Sequence, residues 1–294
     1  MTSPTSDCPL SVVVGTLDAA DADLARCLAA LRPQLETIGG ELLVADGSPG
    51  GPHAPGFAVR LPGADIFALR AQAAAQARGR IIAFTEDHCV PAGDWCAAIL
   101  RAHDEHPHVA AIGGAVVNAS DERLVDRANF LVTFGPFLPP LPQRHRRRPV
   151  PPANVSIKHE SLAEYELTPG LLELEIVPHM HRVGHLLLDD RIRVAHVQSH
   201  GAAGTPAMHF HNGRVTTSIP PRDRPPAEVL RRVARSLTLP ARLGAELAGE
   251  LARRPGRRSS LAAAPWIAAL LVSHAAGEVA GSLRGPGTSP ERLH

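Results

Sequence analysis

The sequence predicts an α/β fold built on a mostly parallel sheet flanked by helices, with a helical C-terminal appendage. Three observations carry this. Short apolar runs rich in β-branched residues, with Leu10–Thr16, Leu42–Ala45 and Arg80–Phe84 foremost, read as buried strands. Helix-patterned stretches separate them, and strands alternating with helices argue for parallel pairing. From Ala227 onward the pattern is helical and amphipathic, with Arg231, Arg232, Arg235, Arg242, Arg253 and Arg254 set among Leu, Val and Ala.

Composition sets the outer limits. A chain of 294 residues can bury a sizeable core as one large domain, or as one domain with an appendage. Aromatics make up only 3% of it, so the core rests on Leu, Val, Ile and Ala. A net charge of +1 does not point to nucleic acid, and no such partner is expected. Cys8, Cys27, Cys89 and Cys96 match no CxxC or zinc-ribbon spacing, and Met1–Pro9 is polar rather than a secretory signal. Free buried thiols in a reducing cytoplasm are the expectation.

The first strand, Leu10–Thr16, precedes a helix capped by Asp18 or Asp21, whose apolar residues Leu24, Cys27, Leu28 and Leu31 keep helical spacing. Leu42–Ala45 ends in Asp46-Gly47-Ser48-Pro49-Gly50-Gly51. An acid there suits a base or a ribose hydroxyl, but an Asx-turn uses the same residues and, taken alone, is the favoured reading. Phe57–Leu61 reads as a third strand, and the Ala-rich stretch from Asp65 to Arg78 as a helix ending near Gly79. The strand Arg80–Phe84 then runs into Thr85-Glu86-Asp87-His88. Three adjacent groups able to hold a cation thus sit at a strand's carboxyl end, where open α/β sheets gather their ligands.

Asp94 to His103 reads as a helix, and Gly113-Gly114 inside Val109–Val117 as a bulge or a close backbone approach. The Pro-dense stretch Phe134 to Pro152, with Arg144-His145-Arg146-Arg147-Arg148, predicts an exposed loop. Asn154–Lys158 is a short strand, followed by a helix around Ser161–Leu167 and an acidic stretch carrying Glu173 and Glu175. Leu186–Asp189 and Arg193–Val197 read as two strands, the second delivering His196. Leu261–Ala280 has about the length of a membrane span but is interrupted by Pro265, Ser273, His274 and Glu278. A helix packed on protein, or lying at a bilayer surface, is expected over a true span.

In this order the motifs resemble those of the GT-A-fold, inverting glycosyltransferases of family 2. Ser11-Val12-Val13-Val14-Gly15-Thr16 is similar to the first strand and its nucleotide-side loop, and Leu42–Ser48 to the second strand, whose acid meets the base. Arg70 opens a stretch similar to the family's Arg-Asn helix, and Ala83–His88 stands at the Asp-x-Asp signature. Ala153-Asn154-Val155-Ser156-Ile157 resembles the acceptor-side strand, Glu173 the acid of the Glu-Asp motif, and Arg193-Val194-Ala195-His196 the Val-x-His strand.

The resemblance implies a Rossmann-like GT-A domain over 10–220, with a nucleotide-sugar half at 10–117 and an acceptor half at 118–220. A flexible 1–9 precedes it, and a helical extension at 221–294 follows, able to meet a membrane surface at the inner face of the cell membrane. It implies a nucleotide-diphospho-sugar donor bound by Gly15, Thr16, Asp46, Arg70, Glu86 and Asp87. A divalent cation, Mn or Mg, would be held by Asp87 first, with Glu86, His88 and His196. Glu173 would be the general base, with Glu175 in reserve, and the acceptor a lipid-linked glycan or a small metabolite. The sequence departs from the family where Asp-x-Asp becomes Glu-Asp-His, where Asp46 stands alone, and where Ala71 follows Arg70.

Two rivals compete with this reading. One is a non-catalytic scaffold on the same fold. The other is a His-rich metal-dependent hydrolase drawing on His179, His181, His185, His196, His200, His209 and His211. Against it, no HExxH accompanies Glu175 and His179.

Overall fold

The computed structural model describes residues 7–50, 57–120, 122–141, 150–162, 185–198, 201–218, 225–252 and 261–292. The chain divides into two compact units, Met1–Val117 with Phe137–Val197, and Asn118–Pro136 with Gln198–His294.

The first unit is organised by one sheet. Its strands are β1 (Leu10–Thr16), β2 (Glu41–Asp46), β3 (Val59–Arg60), β4 (Ile81–Glu86), β5 (Cys89–Pro91), β6 (Val109–Asn118), β7 (Asn154–Lys158) and β8 (His185–His196). They lie in the order β3-β2-β1-β4-β7-β6-β8-β5. β1 pairs parallel with β2 and β4, and β2 with β3, as the alternation of strands and helices implies. Beyond β4 the pairing turns antiparallel: β7 runs against β4 and β6, and β5 against β8. β1 is buried at all seven positions, which explains why Val12, Val13 and Val14 run consecutively rather than alternating with polar residues.

The helices α1 (Ala22–Ile38), α2 (Ile66–Ala74) and α3 (Trp95–Glu105) belong to this unit. Asp21 supplies the α1 cap by accepting from the Asp23 N–H, and Gly39 closes the helix at φ 68°, a left-handed position natural to glycine. Helix α2 ends four residues short of Arg78 because tertiary bonds pull the chain away. The Arg78 N–H donates to Glu41 Oε1 at 2.6 Å and the Gly79 N–H to Ser11 Oγ at 2.7 Å. A Cβ on Gly79 would sit 2.4 Å from the Ser11 nitrogen, so only glycine permits this approach to β1.

Two further differences concern the later elements. The two strands expected around Asp189–Arg193 are one continuous β8, because Asp189 is satisfied inside the strand by the Arg191 N–H at 2.9 Å and its guanidinium at 2.6 Å. Of the helix expected around Ser161–Leu167, the described part is α5 (His159–Leu162). The expected loop from Phe134 is preceded by a helix the sequence reading did not assign, α4 (Leu124–Phe134), and residues 142–149, with the arginine run, lie outside the described residues.

The second unit contains α4 with α6 (Gly201–Ser218), α7 (Pro226–Ala252) and α8 (Ala264–Arg284). Helix α6 is absent from the elements read from sequence, and it contains Gly201, Gly204, Pro206 and Gly213, residues that weaken a helical pattern. Its glycine serves packing instead: a Cβ on Gly213 would lie 2.1 Å from the His274 carbonyl oxygen, and one on Gly277 2.0 Å from that of Phe210. Leu239 of α7 packs with Leu271 and Ala275 of α8, beside Val132 of α4.

Candidate active site

The carboxyl ends of three parallel strands lie side by side. Thr16 is in register with Asp46 and Gly15 with Glu86, so β1 separates the two acids. At about 4.8 Å per strand, Asp46 and Glu86 stand roughly 10 Å apart along the edge of the sheet.

Asp46 is buried at the end of β2. Its Oδ1 accepts from the Ser48 N–H at 2.8 Å, forming the Asx-turn, and its Oδ2 accepts from the Arg60 guanidinium at 2.6 Å. Burial opposes ionisation, but the bonds from Ser48 and the charge of Arg60 outweigh it and hold the carboxyl below its usual range. The turn and a ligand-binding acid are therefore compatible, since each carboxylate oxygen retains accepting capacity.

The turn Asp87-His88 follows β4 directly and leads into β5. β5 pairs with the end of β8, placing Cys89 opposite His196, and the Val197 N–H donates to the His88 carbonyl at 3.0 Å. This pairing brings in His196 from far along the chain. Its Nε2 lies 3.0 Å from Glu86 Oε2 and 3.0 Å from His88 Nε2, while His88 Nε2 lies 3.3 Å from the same Glu86 oxygen. Asp87 turns to the other side of the His88 ring, with Oδ1 2.8 Å from Nδ1. The Arg70 guanidinium reaches within 3.6 Å of Glu86 Oε1.

Charge in this cluster is strongly coupled. Burial disfavours the Glu86 carboxylate, yet the hydrogen bonds from His196 and His88 hold its pKa well below the ordinary value. Asp87 is lowered too, against burial, by His88. Burial would also push His88 down, but Asp87 and Glu86 overcome it and raise its pKa to about 10. His196 goes the other way: burial lowers it, the Glu86 bond opposes, and the His88 charge adds to the lowering. The two carboxylates are thus favoured in their charged form, and the two facing rings are pushed in opposite directions.

The site edge therefore brings together Gly15, Thr16, Asp46, Arg70, Glu86, Asp87, His88 and His196. A Cβ on Gly15 would lie 2.7 Å from Ile66 Cδ1 and 3.4 Å from Arg70 Cγ, so the bare backbone there makes room for α2. Glu173 and Glu175 lie outside the described residues, as do His179, His181 and His200. His209 and His211 belong to the second unit; His209 is buried, with Nε2 2.8 Å from Asn129 Oδ1.

Three residues at the site escaped the sequence reading. Arg60, on the short β3, pairs with Asp46. Cys89 is buried, with its sulfur within 4.8 Å of a ligating atom of both Glu86 and His196. Cys27 donates its S–H to the Glu86 carbonyl at 3.6 Å. Only Cys89 carried a local signal, as the residue following His88.

Residues 59–163 match the family model "Glycosyl transferase family 2", a segment that includes Arg70 and Glu86-Asp87-His88. No curated protein matches the chain. Among solved structures the chain is similar to the mannosyltransferase PcManGT from Pyrobaculum calidifontis in complex with GDP-Man and Mn2+. The TM-score is 0.54 at 16% identity, over 94% of this chain and 88% of that one, a likeness of fold. Residues 59–163 thus carry a family 2 glycosyltransferase segment, and the sheet order and this likeness give the fold as GT-A-type.

Proposed function

We propose that the protein transfers a sugar from a nucleotide-diphospho-sugar to an acceptor hydroxyl by a single displacement, with inversion at the anomeric carbon. The spacing of Asp46 and Glu86, at strand ends on either side of β1, carries this reading. Their separation of roughly two strand spacings, about 10 Å, suits a ligand with hydrogen-bond donors at one end and phosphates at the other. Asp46, fixed by Ser48 and Arg60, accepts from the base or ribose. Gly15 and Thr16 lie between, where the backbone can approach the ligand closely.

The Glu86 cluster supports a divalent cation. His196 Nε2 faces both His88 Nε2 and Glu86 Oε2 at 3.0 Å. Glu86 Oε2 and the two ring nitrogens lie within 3.3 Å of one another, close enough for one small cation to meet all three. Glu86, His88 and His196 would hold the cation, with Asp87 orienting the His88 ring. When bound, the cation offsets the charge that builds on the departing diphosphate.

Glu173 is the proposed general base. It takes the acceptor's proton as the hydroxyl oxygen bonds to the anomeric carbon and the bond to the diphosphate oxygen breaks; Glu175 is the reserve. Replacing Glu173 by Gln leaves donor binding by calorimetry close to wild type and lowers turnover at least 100-fold, within the usual range for general-base loss. Wild-type turnover in Glu173→Gln would remove Glu173 from this role, and absence of any nucleotide-sugar binding would remove the transferase mechanism.

The C-terminal unit adds a membrane surface at the cytoplasmic face to this reading. On α7, Leu230, Val233, Ala234, Leu237, Ala241 and Ala248 share one face free of charge, with Leu230 and Leu237 each 70% exposed. Arg231, Arg235 and Arg242 run along its border, as an anionic lipid surface requires. Helix α8 spans 21 residues at a mean hydropathy of 1.3, with only 28% of its apolar window buried. A lipid-linked glycan is the acceptor this surface favours; a soluble metabolite is the alternative.

A further inference from the structure

We propose that His88 makes this site select a transition-metal cation of the Mn2+, Co2+ or Zn2+ class and reject Mg2+. The inference rests on the cation reading above and concerns which ion the site takes.

The donor atoms define a triangle. Glu86 Oε2, His88 Nε2 and His196 Nε2 lie 3.0, 3.0 and 3.3 Å apart. Adjacent ligands around an octahedral ion with bonds of about 2.0–2.2 Å are spaced by about 2.8–3.1 Å. Around a tetrahedral ion with bonds of about 2.0–2.1 Å they are spaced by about 3.3–3.4 Å. The triangle spans these two cases, so one cation can meet all three atoms with small side-chain movements. The three come from two elements, the β4 end with its turn and the end of β8, joined by the β5–β8 pairing.

The donor set then decides the ion. Mg2+ demands oxygen ligands and gives up its water reluctantly, whereas imidazole nitrogen suits the borderline first-row ions. Two of the three atoms here are imidazole nitrogens, and the third is a single carboxylate oxygen. The His88 ring is oriented as metal-bound histidines are, with Nδ1 2.8 Å from the Asp87 carboxylate. Cys89 places a soft sulfur within 4.8 Å of the Glu86 and His196 donors, which biases the pocket further from Mg2+. An aspartate in place of His88 would replace nitrogen by oxygen at the turn and lift this discrimination.

The test uses the full chain, stripped by chelator and titrated with Mn2+ while free ion is followed by electron paramagnetic resonance. Competition with Mg2+ and with Zn2+ gives relative affinities without any turnover. Pulsed measurement on bound Mn2+ detects directly ligated 14N. We expect Mn2+ to bind at least about 100-fold more tightly than Mg2+, a difference of about 2.8 kcal/mol, with 14N coupling from two imidazoles. His88→Asp should retain the wild-type circular dichroism, lose one nitrogen coupling and narrow the ratio about tenfold or more. Equal Mn2+ and Mg2+ affinities, or bound Mn2+ without nitrogen coupling in the wild-type protein, would overturn the proposal. So would the failure of both Mn2+ and Zn2+ to bind, leaving the cluster a purely protein-held ion pair. Nucleotide-sugar binding is measured separately: its absence beside selective Mn2+ binding defeats the transferase mechanism alone. Its presence at equal strength in Mg2+ defeats the selectivity alone.

Discussion

Replacing Asn154 by Ala should remove a buried polar tie that holds the antiparallel half of the sheet together and fixes a helix against it. Asn154 begins β7 and is 1% exposed. The Trp95 indole N–H donates to its Oδ1 at 2.9 Å, and its Nδ2 donates to the Ala115 and Ile192 carbonyls at 2.9 and 3.0 Å. One amide thus joins α3, β6, β7 and β8. Alanine strands one donor and two acceptors, each costing about 1–3 kcal/mol when buried. Entry of water into the vacated space relieves part of this, so the expected loss is about 3–5 kcal/mol, near the top of the range for single substitutions. At a urea slope of about 3 kcal/mol per molar, the unfolding midpoint falls by about 1 M or more. Trp95 is fully buried and reports the transition, in a Trp266→Phe background that removes the other tryptophan. Because Asn154 is in register with Thr85, one residue before Glu86, donor binding should weaken as well. A loss under about 1 kcal/mol, or unchanged Trp95 emission, would refute the view that this amide is a structural hub rather than an acceptor contact.

Two further predictions concern acid stability and lipid. His103 is buried with Nε2 2.9 Å from Ser156 Oγ, and burial, reinforced by Lys158 and Arg80, pushes its pKa down to about 4. The unfolded chain therefore takes up this proton first. Its contribution is complete above about pH 6.5 and is lost as pH falls towards 4, by about 3 kcal/mol in all. Urea midpoints between pH 7 and 4.5 should decline less steeply in His103→Leu than in wild type; parallel declines would count against the assignment. Vesicles containing anionic phospholipid should sediment the protein, less so at high salt, and Leu230→Glu with Leu237→Glu should abolish sedimentation. A wild-type chain left in the supernatant would remove the membrane surface from the proposed function.

Local pattern determined much of this protein. β1 runs over Leu10–Thr16 as its apolar, β-branched run implies, because a strand buried on both faces tends to write itself as an apolar segment, and β7 keeps the bounds Asn154–Lys158 read from sequence. The cap at Asp21, the stop at Gly39 and the acids ending β2 and β4 are likewise short-range features. Other features depend on partners remote in sequence. At Gly213 helix α6 lets α8 approach its bare backbone, and α2 stops early because Glu41 and Ser11 capture Arg78 and Gly79. The antiparallel half of the sheet follows from where β7 and β8 return, which no period within either strand encodes. At the site, Glu86-Asp87-His88 was legible as a group of ligand-bearing side chains at a strand end. Its division of labour was not. Only the β5–β8 pairing places His196 against Glu86 and His88, and only the turn's geometry sends Asp87 to the far side of the His88 ring. Sequence determines which polar side chains are present; the distances among them arise when strands distant in the chain are packed edge to edge.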